Sequence, residues 1–474
     1  MPRILLRAAM ACALIVSVMS CKDQTFSDEI TDVDRVEVGH LTPEMMKVRD
    51  YVPMYAVIAH RGSTFWTPEE TEAAYRWARE MGADYLECDM QVTKDGVVLA
   101  LHDDNLKRTT NIANVFGEEL PKMRLQYYLN LGYTKEEAQA KYDADKKSFI
   151  PNLPSFYTYE ELLMLDAGKW FNNAYPNEAR AGFVTHKQYV SALEDLVMYS
   201  RGKKLLRDAQ GNRVYRIVGR TGETITSLSG TADIVEYELE YEDDNVDSGN
   251  RPGIYIEFKE PWLNPQGFEQ LVYNELKRLD MNIIERPEPE DAPFYIDQKV
   301  NVNNTNGKVI LQTFSLQSLV QVSQIFQGKV PMCFLLWKGT GATDLTYDDP
   351  LGYASFINLG LQYKAHIIGP CIAGAPNDYP DLDKPWQAEL IKRAGMLNHP
   401  YSFDTRDQMN IYWGDYNFGN TGGPLFNPPY LDGAFTNRSE MTMDFFLAKG
   451  VRPLPAPQEV PDPSTLLTQL GYDE

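Results

Sequence analysis

The feature that most constrains the fold of this chain is a recurring pair, a short apolar run followed by a stretch of helical periodicity. The apolar runs are Tyr55–His60, Tyr85–Gln91, Val97–His102, Ile254–Lys259, Val309–Phe314, Pro331–Trp337, His366–Pro370, Met396–Phe403 and Ala434–Asn437. Helical periodicity is found in Thr71–Met81, Phe268–Leu279, Leu316–Gln327, Gln387–Arg393 and Glu440–Lys449. Short apolar strands that alternate with helices are typical of a parallel α/β sheet, and eight or nine of them favour a (β/α)8 TIM barrel. His366–Pro370 fits either a barrel strand or a loop.

Two stretches break this rhythm, and we interpret both as insertions on the barrel. Residues 111–160 contain the charged, helix-favouring segment Glu137–Lys146, and residues 203–250 contain the strand-like segments Arg213–Val218 and Ile234–Glu240. Each stretch has about 50 residues, which is at the low end for an independent domain. The barrel is therefore assigned to residues 51–452, and residues 453–474 to a Pro-rich C-terminal tail, of which Pro453–Pro463 is expected to be extended.

The first twenty residues have the pattern of a bacterial lipoprotein signal peptide. Arg3 and Arg7 precede an apolar segment, Ala8–Met19, that is too short to span a bilayer, and Val18–Cys21 (VMSC) is similar to a lipobox. We expect cleavage after residue 20, lipidation of Cys21, and a tether and entry segment over residues 21–50. An ordinary signal peptide with an incidental cysteine is the alternative. The expected location is extracytoplasmic and membrane-anchored, in the periplasm or at the cell surface, with the outer membrane favoured.

Net charge and cysteine spacing exclude some functions. The formal net charge of −22 repels phosphate backbones, so nucleic acid is not an expected partner. A phosphorylated substrate would need local positive charge on such a protein. Cys88, Cys333 and Cys371 form no CxxC pair, so a cysteine zinc site has no support, and we expect buried thiols. Whether Cys333 pairs with Cys371 stays open at this point.

Ionisable residues lie at the ends of four successive apolar runs. They are His60 and Arg61, then Glu87 and Asp89, then His102, then Glu257 and Lys259. Side chains two positions apart on a strand point to the same face, and catalytic groups of TIM barrels collect at the carboxyl ends of the strands. We therefore expect these groups to meet at one mouth of the barrel.

Three carboxylates among these groups predict a metal site. Glu87, Asp89 and Glu257 would repel one another inside a barrel unless a cation neutralised them. Carboxylate oxygens suit Mg²⁺ or Ca²⁺ better than zinc. A single strand-end histidine or a single Glu-x-Asp is more often structural, but their joint occurrence favours a functional site.

The same residues resemble the motifs of the glycerophosphodiester phosphodiesterases. The motifs are HRG at His60–Gly62, PEET at Pro68–Thr71, GADYLECDMQVTKDG at Gly82–Gly96, LHDDNLKRTTN at Leu101–Asn111, LDAGKWF at Leu165–Phe171, IYIEFK at Ile254–Lys259, LQTFS at Leu311–Ser315 and LDGAFTN at Leu431–Asn437. NHPYSF at Asn398–Phe403 is similar to a segment of the periplasmic branch of that family. Two positions depart from the pattern: Glu70 stands where the family has Asn, and Asn437 where it has Asp. We assign no chemistry to either.

The resemblance implies a TIM barrel of the phosphodiesterase type and hydrolysis of glycerophosphodiesters to glycerol 3-phosphate and an alcohol. It implies a divalent cation, Ca²⁺ or Mg²⁺, held by Glu87, Asp89 and Glu257. It also implies an acid/base pair, His60 and His102, in which either can be the acid, and phosphate contacts from Arg61 and Lys259. Glu69 is expected to orient Arg61 or cap the following helix, which Pro68 and Glu69 are predicted to begin.

Two rival functions remain open on the sequence. One is a sphingomyelinase D-like phospholipase acting on a lysolipid head group, and the other is a catalytically inactive, phosphodiester-binding surface lipoprotein. The alcohol moiety and the oligomeric state are not specified by the sequence. Four aromatic residues fit either the alcohol side of the site or the core: Trp262, Trp337, Tyr401 and Trp413.

Overall fold

The computed structural model of the chain describes residues 33–174, 183, 186–338, 346–414, 430–452 and 460–472. Within these residues eight parallel strands form one sheet, which confirms the predicted barrel. The strands are β1 Ala56–Ala59, β2 Tyr85–Val92, β3 Gly253–Phe258, β4 Val309–Thr313, β5 Met332–Leu336, β6 Ile367–Pro370, β7 Leu397–Asn398 and β8 Gly433–Thr436. In space they follow chain order, with β8 beside β1.

The sheet closes between β7 and β8. Phe403, just beyond β7, forms a parallel bridge with Thr436 of β8. Four backbone hydrogen bonds reinforce this seam, and the one from Phe403 N–H to Phe435 C=O measures 2.8 Å. Closure leaves no exposed sheet edge between the first and last strands.

Eight helices follow the eight strands in turn. They are α1 Glu72–Met81, α2 Leu193–Ser200, α3 Phe268–Arg278, α4 Leu316–Ile325, α5 Pro350–Gln362, α6 Pro385–Arg393, α7 Arg406–Trp413 and α8 Ser439–Ala448. No helix in the described part of the chain combines the length and the apolarity needed to cross a bilayer.

Alternation along the strands separates two apolar layers. Ile58, Tyr85, Tyr255 and Ile310 belong to a cluster that fills the barrel interior. Their neighbours on the opposite strand face, including Leu86, Cys88 and Ile256, pack in a second cluster with helix residues. Since Glu87 and Asp89 share the face of Tyr85, they continue the interior layer toward the carboxyl ends of the strands.

Two sequence predictions about local structure are wrong. The run Val97–His102 is not a barrel strand, because Val98–Ala100 pairs antiparallel with β2. The sharp Lys94-Asp95-Gly96 turn, with Gly96 at φ 88°, returns the chain alongside β2. Pro68 and Glu69 do not begin a helix, because the Thr71 side chain caps α1 at Glu72. His366–Pro370, which fitted either a strand or a loop, contains β6.

The two predicted insertions lie on either side of α2. The first lies between β2 and α2, and the second lies between α2 and β3. Glu137–Lys146 lies within the helix Lys135–Ser148, and the second segment forms a long hairpin, Tyr215–Ser227 with Gly230–Leu239. Buried Asp95 accepts hydrogen bonds from Tyr127 in the first segment and Tyr237 in the second, at 2.7 and 2.6 Å. The hairpin turn reaches the loop after β3, where Gln266 N–H donates to Thr226 C=O.

The chain end packs on the barrel. Arg452 makes a two-pronged ion pair with Asp84 at 2.6 and 2.9 Å, and both side chains are almost fully buried. Farther on, a helix at Pro463–Leu470 lies against α1. This helix begins at the end of the segment Pro453–Pro463, which is expected to be extended, and residues 460–462 before it lie in neither a helix nor a strand. The predicted signal peptide (residues 1–20), the predicted lipidation of Cys21, the first part of the predicted tether (to residue 32) and residues 453–459 lie outside the described residues.

Candidate active site

The carboxyl ends of β1, β2, β3 and β4 bring the predicted ionisable residues together. Asp89 on β2 and Glu257 on β3 are direct neighbours across the sheet, and Gln312 on β4 is the next residue in the same row. His60 and Arg61 form a tight turn directly after β1. His102 follows the antiparallel strand Val98–Ala100 instead of ending a third barrel strand, as the sequence predicted.

The tight turn after β1 depends on Gly62. Its φ is 83°, and a Cβ at this position would lie 2.6 Å from the Ala74 Cβ of α1. A glycine therefore allows the chain to pass close to α1 while it turns His60 and Arg61 toward the mouth.

Three carboxylates form the centre of the site. Oxygen atoms of Glu87, Asp89 and Glu257 lie within 4.8 Å of one another, and all three side chains are buried. Two cations flank them. Lys259 Nζ lies 3.0 Å from Glu257 Oε1, and Arg61 Nε lies 3.2 Å from Asp89 Oδ2.

The electrostatics of the cluster differ from one carboxylate to the next. Burial and the charge of Asp89 raise the pKa of Glu87 well above its usual range and that of Glu257 to about 8. Burial also raises the pKa of Asp89, but the positive charges of Lys259 and Arg61 outweigh this effect and hold its pKa below the usual range. Two of the three carboxylates are therefore stabilised in their protonated form when no additional cation is near.

The oxygens of the cluster fit a divalent cation. Among the described residues, Asp89 Oδ2 accepts no hydrogen bond of good geometry, and Gln312 Oε1 has no hydrogen-bond partner. The three carboxylates match the preference of hard cations for oxygen ligands. A cation here would also offset the repulsion that raises the two pKa values.

His60 is held by a two-residue chain of hydrogen bonds. Its Nδ1 lies 2.7 Å from Asn437 Oδ1, and Asn437 Nδ2 donates to Asp404 Oδ1 at 2.9 Å. Since the amide oxygen only accepts, Nδ1 carries the proton and Nε2 is left as the basic nitrogen. Burial and the neighbouring Arg61 charge lower the pKa of His60 to about 3.

His102 is held by a carboxylate. Its Nδ1 donates to Asp103 Oδ1 at 2.7 Å, and Arg108 bridges Asp103 and Glu69 through four hydrogen bonds of 2.6 to 2.9 Å. Burial and the Arg61 charge lower the pKa of His102. Glu69, His102 and Asp103 also cluster closely, but the Arg108 guanidinium already neutralises their carboxylates. Glu69 lies 3.6 Å from Arg61 as well, in keeping with an orienting residue.

Sequence reasoning missed four residues that hold the site groups. Gln312 donates to Glu87 Oε1 at 2.8 Å, and buried Glu70 accepts the backbone N–H of Asp89 at 2.7 Å. Asn437 and Arg108 position the two histidines as described above. The departures from the family pattern at positions 70 and 437 signalled two of them. Gln312 and Arg108 lie inside quoted motifs but give no charge pattern that identifies a role.

A cavity of about 340 Å³ opens between these groups, and its two sides differ in chemistry. One side carries the polar groups from the first four strands and the segment after β2. The other side is apolar and comes mainly from the later strands and their loops, with one residue directly after β4; it consists of Phe314, Leu335, Trp337, Tyr379, Tyr401 and Phe435. Of the four aromatic candidates, Trp337 and Tyr401 thus line the site. Trp413 packs in an apolar cluster with Tyr55 and Phe446.

His399 and the three cysteines do not line the cavity. His399 is buried below the cavity, where its Nδ1 lies 3.3 Å from the Tyr255 hydroxyl. Cys88, Cys333 and Cys371 are buried free thiols, so Cys333 does not pair with Cys371.

Barrel and mouth together define a phosphoric diester hydrolase. The family model described as glycerophosphoryl diester phosphodiesterase matches residues 60–213. This match assigns residues 60–213 to that family. The match ends before β3, so it does not include Glu257 and Lys259. These two residues are assigned to the site because of their position beside Asp89.

Two relatives found by sequence comparison carry the name of the same family. The glycerophosphodiester phosphodiesterase of Bacillus subtilis is 25% identical over 360 residues, which cover 75% of this chain and 80% of that protein. A glycerophosphodiester phosphodiesterase of Caldanaerobacter subterraneus is 53% identical over 55 residues, covering 12% of this chain and 23% of that protein. The crystal structure of glycerophosphodiester phosphodiesterase from Agrobacterium tumefaciens is 16% identical, with a TM-score of 0.42 over 82% of this chain and 100% of that chain.

Proposed function

We propose that this protein hydrolyses glycerophosphodiesters to glycerol 3-phosphate and an alcohol, with a divalent cation, Ca²⁺ or Mg²⁺, and histidine acid/base catalysis. The observation that carries this proposal is the buried triad Glu87, Asp89 and Glu257, flanked by two cations and two oriented histidines at one cavity. Few reactions other than displacement at an anionic phosphorus use such a set. The names of the relatives support the same substrate class.

Each residue has a role that follows from its contacts. Arg61 and Lys259 offset the charge of the phosphodiester, and the planar guanidinium suits two phosphoryl oxygens at once. Glu87, Asp89 and Glu257 would hold the cation, which supplies Lewis-acid stabilisation of charge on the phosphoryl oxygens when bound. One histidine accepts the proton of the nucleophile, water or a substrate hydroxyl, and the other gives a proton to the leaving alkoxide. Asn437 and Asp103 keep the two imidazoles oriented for these transfers.

The test is a panel of glycerophosphodiesters with release of glycerol 3-phosphate as the readout, measured with Mg²⁺, with Ca²⁺ and after exhaustive chelation. We expect activity that chelation abolishes and one of the two ions restores. Activity that survives chelation would exclude the metal role. Sphingomyelin, assayed by release of choline, tests the rival phospholipase, and binding without turnover would favour the inactive protein.

The acid/base assignment has its own test. His60→Ala and His102→Ala should each lower turnover about 10²- to 10⁴-fold. His186→Ala, which changes an exposed histidine away from the cavity, is the control and should keep full activity. A near-normal rate in either site variant contradicts the assignment.

We further propose that the protein is an extracytoplasmic lipoprotein anchored through Cys21. The support is the basic, apolar and VMSC sequence of residues 1–21. Cys21→Ser should move the protein from the detergent phase to the aqueous phase in Triton X-114 partitioning and remove incorporated labelled fatty acid. Unchanged partitioning of the variant argues against the anchor.

A further inference from the structure

The segment that precedes β1 crosses the end of the barrel opposite the mouth, which we call the basal end. In a barrel of parallel strands the helices run back antiparallel to the strands, so the basal end consists of the strand amino ends and the helix carboxyl ends. Val52 in this segment is 4% exposed and belongs to the same interior cluster as Ile58 and Tyr85. It therefore closes the barrel interior at the basal end.

Hydrogen bonds hold the first described residues at the carboxyl end of α6. Leu41 N–H donates to Ala394 C=O at 2.9 Å, directly after that helix. Arg393, the last residue of α6, donates to Val33 C=O at 3.0 Å. Val33 and Leu41 are both buried and pack in the apolar cluster that joins the strands to the helices. The chain therefore meets the barrel at the basal end and not at the mouth.

The same segment then passes under the amino end of β4. The Arg49 guanidinium donates to Gly395 C=O at 2.6 Å. The Tyr51 carbonyl oxygen approaches Gly307, just before β4, so closely that a Cβ at Gly307 would collide with it. Residues 33–52 are thus packed on the basal end. If Cys21 carries the lipid, the free reach of the chain is limited to the residues between Cys21 and Val33.

This reach is short compared with the size of the protein. Val33 is twelve residues after Cys21, and twelve residues span at most about 43 Å when fully extended. A compact chain of 474 residues has a radius of gyration of about 23 Å, which corresponds to a sphere roughly 60 Å across. A lipid on Cys21 therefore cannot lie level with the mouth while Val33 stays at the basal end.

We propose that the basal end faces the bilayer that holds the anchor and that the mouth faces away from it, toward the aqueous phase. The inference rests on the proposed anchor at Cys21 and adds an orientation to it. The active site then receives glycerophosphodiesters that are dissolved in water, because diesters embedded in the same bilayer lie beyond the opposite end of the barrel.

The experiment measures energy transfer from a dye on the lipidated, full-length protein in liposomes to an acceptor dye carried by a lipid. The three described thiols are buried, so a maleimide dye labels an introduced surface cysteine. Ile296→Cys places the donor at the basal end, because Ile296 is 45% exposed in the connection between α3 and β4. Trp262→Cys places it at the mouth, because Trp262 is 63% exposed in the loop after β3. We expect transfer from position 296 to be at least twice as efficient.

Tether length provides the matched control. An insert of about 24 Gly/Ser residues after Ser27 extends the reach to roughly 130 Å, so the protein can reorient on the membrane and the two positions should give nearly equal transfer. A difference that persists in this extended variant overturns the inference, because the tether is then not its cause.

Other outcomes separate the orientation from the anchor. Equal transfer from the two positions without the insert, or stronger transfer from position 262, overturns the orientation and leaves the anchor intact. No transfer from either position, in a protein that stays in the aqueous phase of Triton X-114, refutes the anchor and the orientation with it. Anchored protein should hydrolyse glycerophosphocholine within twofold of the Cys21→Ser rate, because the mouth is open to solution. A larger loss on anchoring contradicts the inference.

Discussion

Gln312 provides the sharpest test of how the barrel prepares its metal site. Its side-chain N–H donates to Glu87 Oε1 at 2.8 Å, and both residues are 1% exposed. Gln312→Met keeps the length and volume of the side chain but removes this donor. Burial and Asp89 already raise the pKa of Glu87, so loss of the donor further disfavours the ionised form that binds a cation.

The size of the effect follows from the contact. A hydrogen bond to a charged, buried group is worth about 1.5–3 kcal/mol, which corresponds to roughly 10- to 150-fold in affinity. Hydrogen-bond partners of metal ligands have effects of about 10- to 100-fold. We expect the dissociation constant of the divalent cation to rise by about one to two orders of magnitude. Because the three carboxylates remain, higher metal concentration should restore most of the activity.

Isothermal titration of chelator-treated protein with Mg²⁺ and Ca²⁺ measures the affinity, and activity against metal concentration provides a second readout. Gln387→Met is the control. Gln387 is a fully buried amide on α6 that hydrogen-bonds to the backbone of Tyr347 and Lys384, and it does not line the cavity. It should lower thermal stability without changing metal affinity. A folded Gln312→Met protein that binds metal within twofold of wild type would refute the reasoning.

Three further predictions concern stability and orientation. Arg452→Met leaves Asp84 buried without its partner and should lower the free energy of unfolding, measured in urea, by about 3–5 kcal/mol. Lys277→Met removes one partner of an exposed ion pair and should lower it by under about 1 kcal/mol. Equal losses in the two variants would contradict this reasoning. Burial lowers the pKa of His366 to about 3, so the unfolded chain takes up a proton near pH 6.5 and the folded chain only near pH 3. Stability is thus fully present above pH 6.5 and falls as the pH drops toward 3, by about 2 kcal/mol at pH 5, and His366→Gln should remove this part of the pH dependence of urea unfolding. Asn437→Leu removes the acceptor that orients His60 and should lower kcat at least tenfold while metal affinity stays unchanged. A parallel loss of metal affinity would instead indicate that the whole mouth of the barrel is disrupted.

Much of the fold and the centre of the site were predictable because they follow from simple periodicities. Apolar runs between helical stretches specify parallel strands, and parallel strands bring their carboxyl ends to one edge. The i, i+2 spacing of Glu87 with Asp89 and of Glu257 with Lys259 then places four charges on one face. These inferences need only local sequence and the direction of the chain.

The features that sequence reasoning missed depend on contacts between segments that are distant in the chain. An apolar run such as Val97–His102 does not reveal its direction, although the Lys94-Asp95-Gly96 turn before it is a hairpin signal. Asn437 reaches His60 only because β8 closes against β1. Gln312 is an uncharged residue in an ordinary strand, and only its register beside Glu257 reveals its role.

The division of the cavity into a polar and an apolar side has a consequence for how such an enzyme can evolve. Nearly all groups proposed for chemistry come from the first half of the barrel, whereas most of the wall that meets the substrate's carbon skeleton comes from the second half. Substitutions in Leu335, Tyr379 or Tyr401 can therefore reshape substrate range while the reacting groups keep their geometry. After gene duplication, such a barrel is free to acquire new substrates by drift in one half of its sequence, with the reaction inherited unchanged through the other.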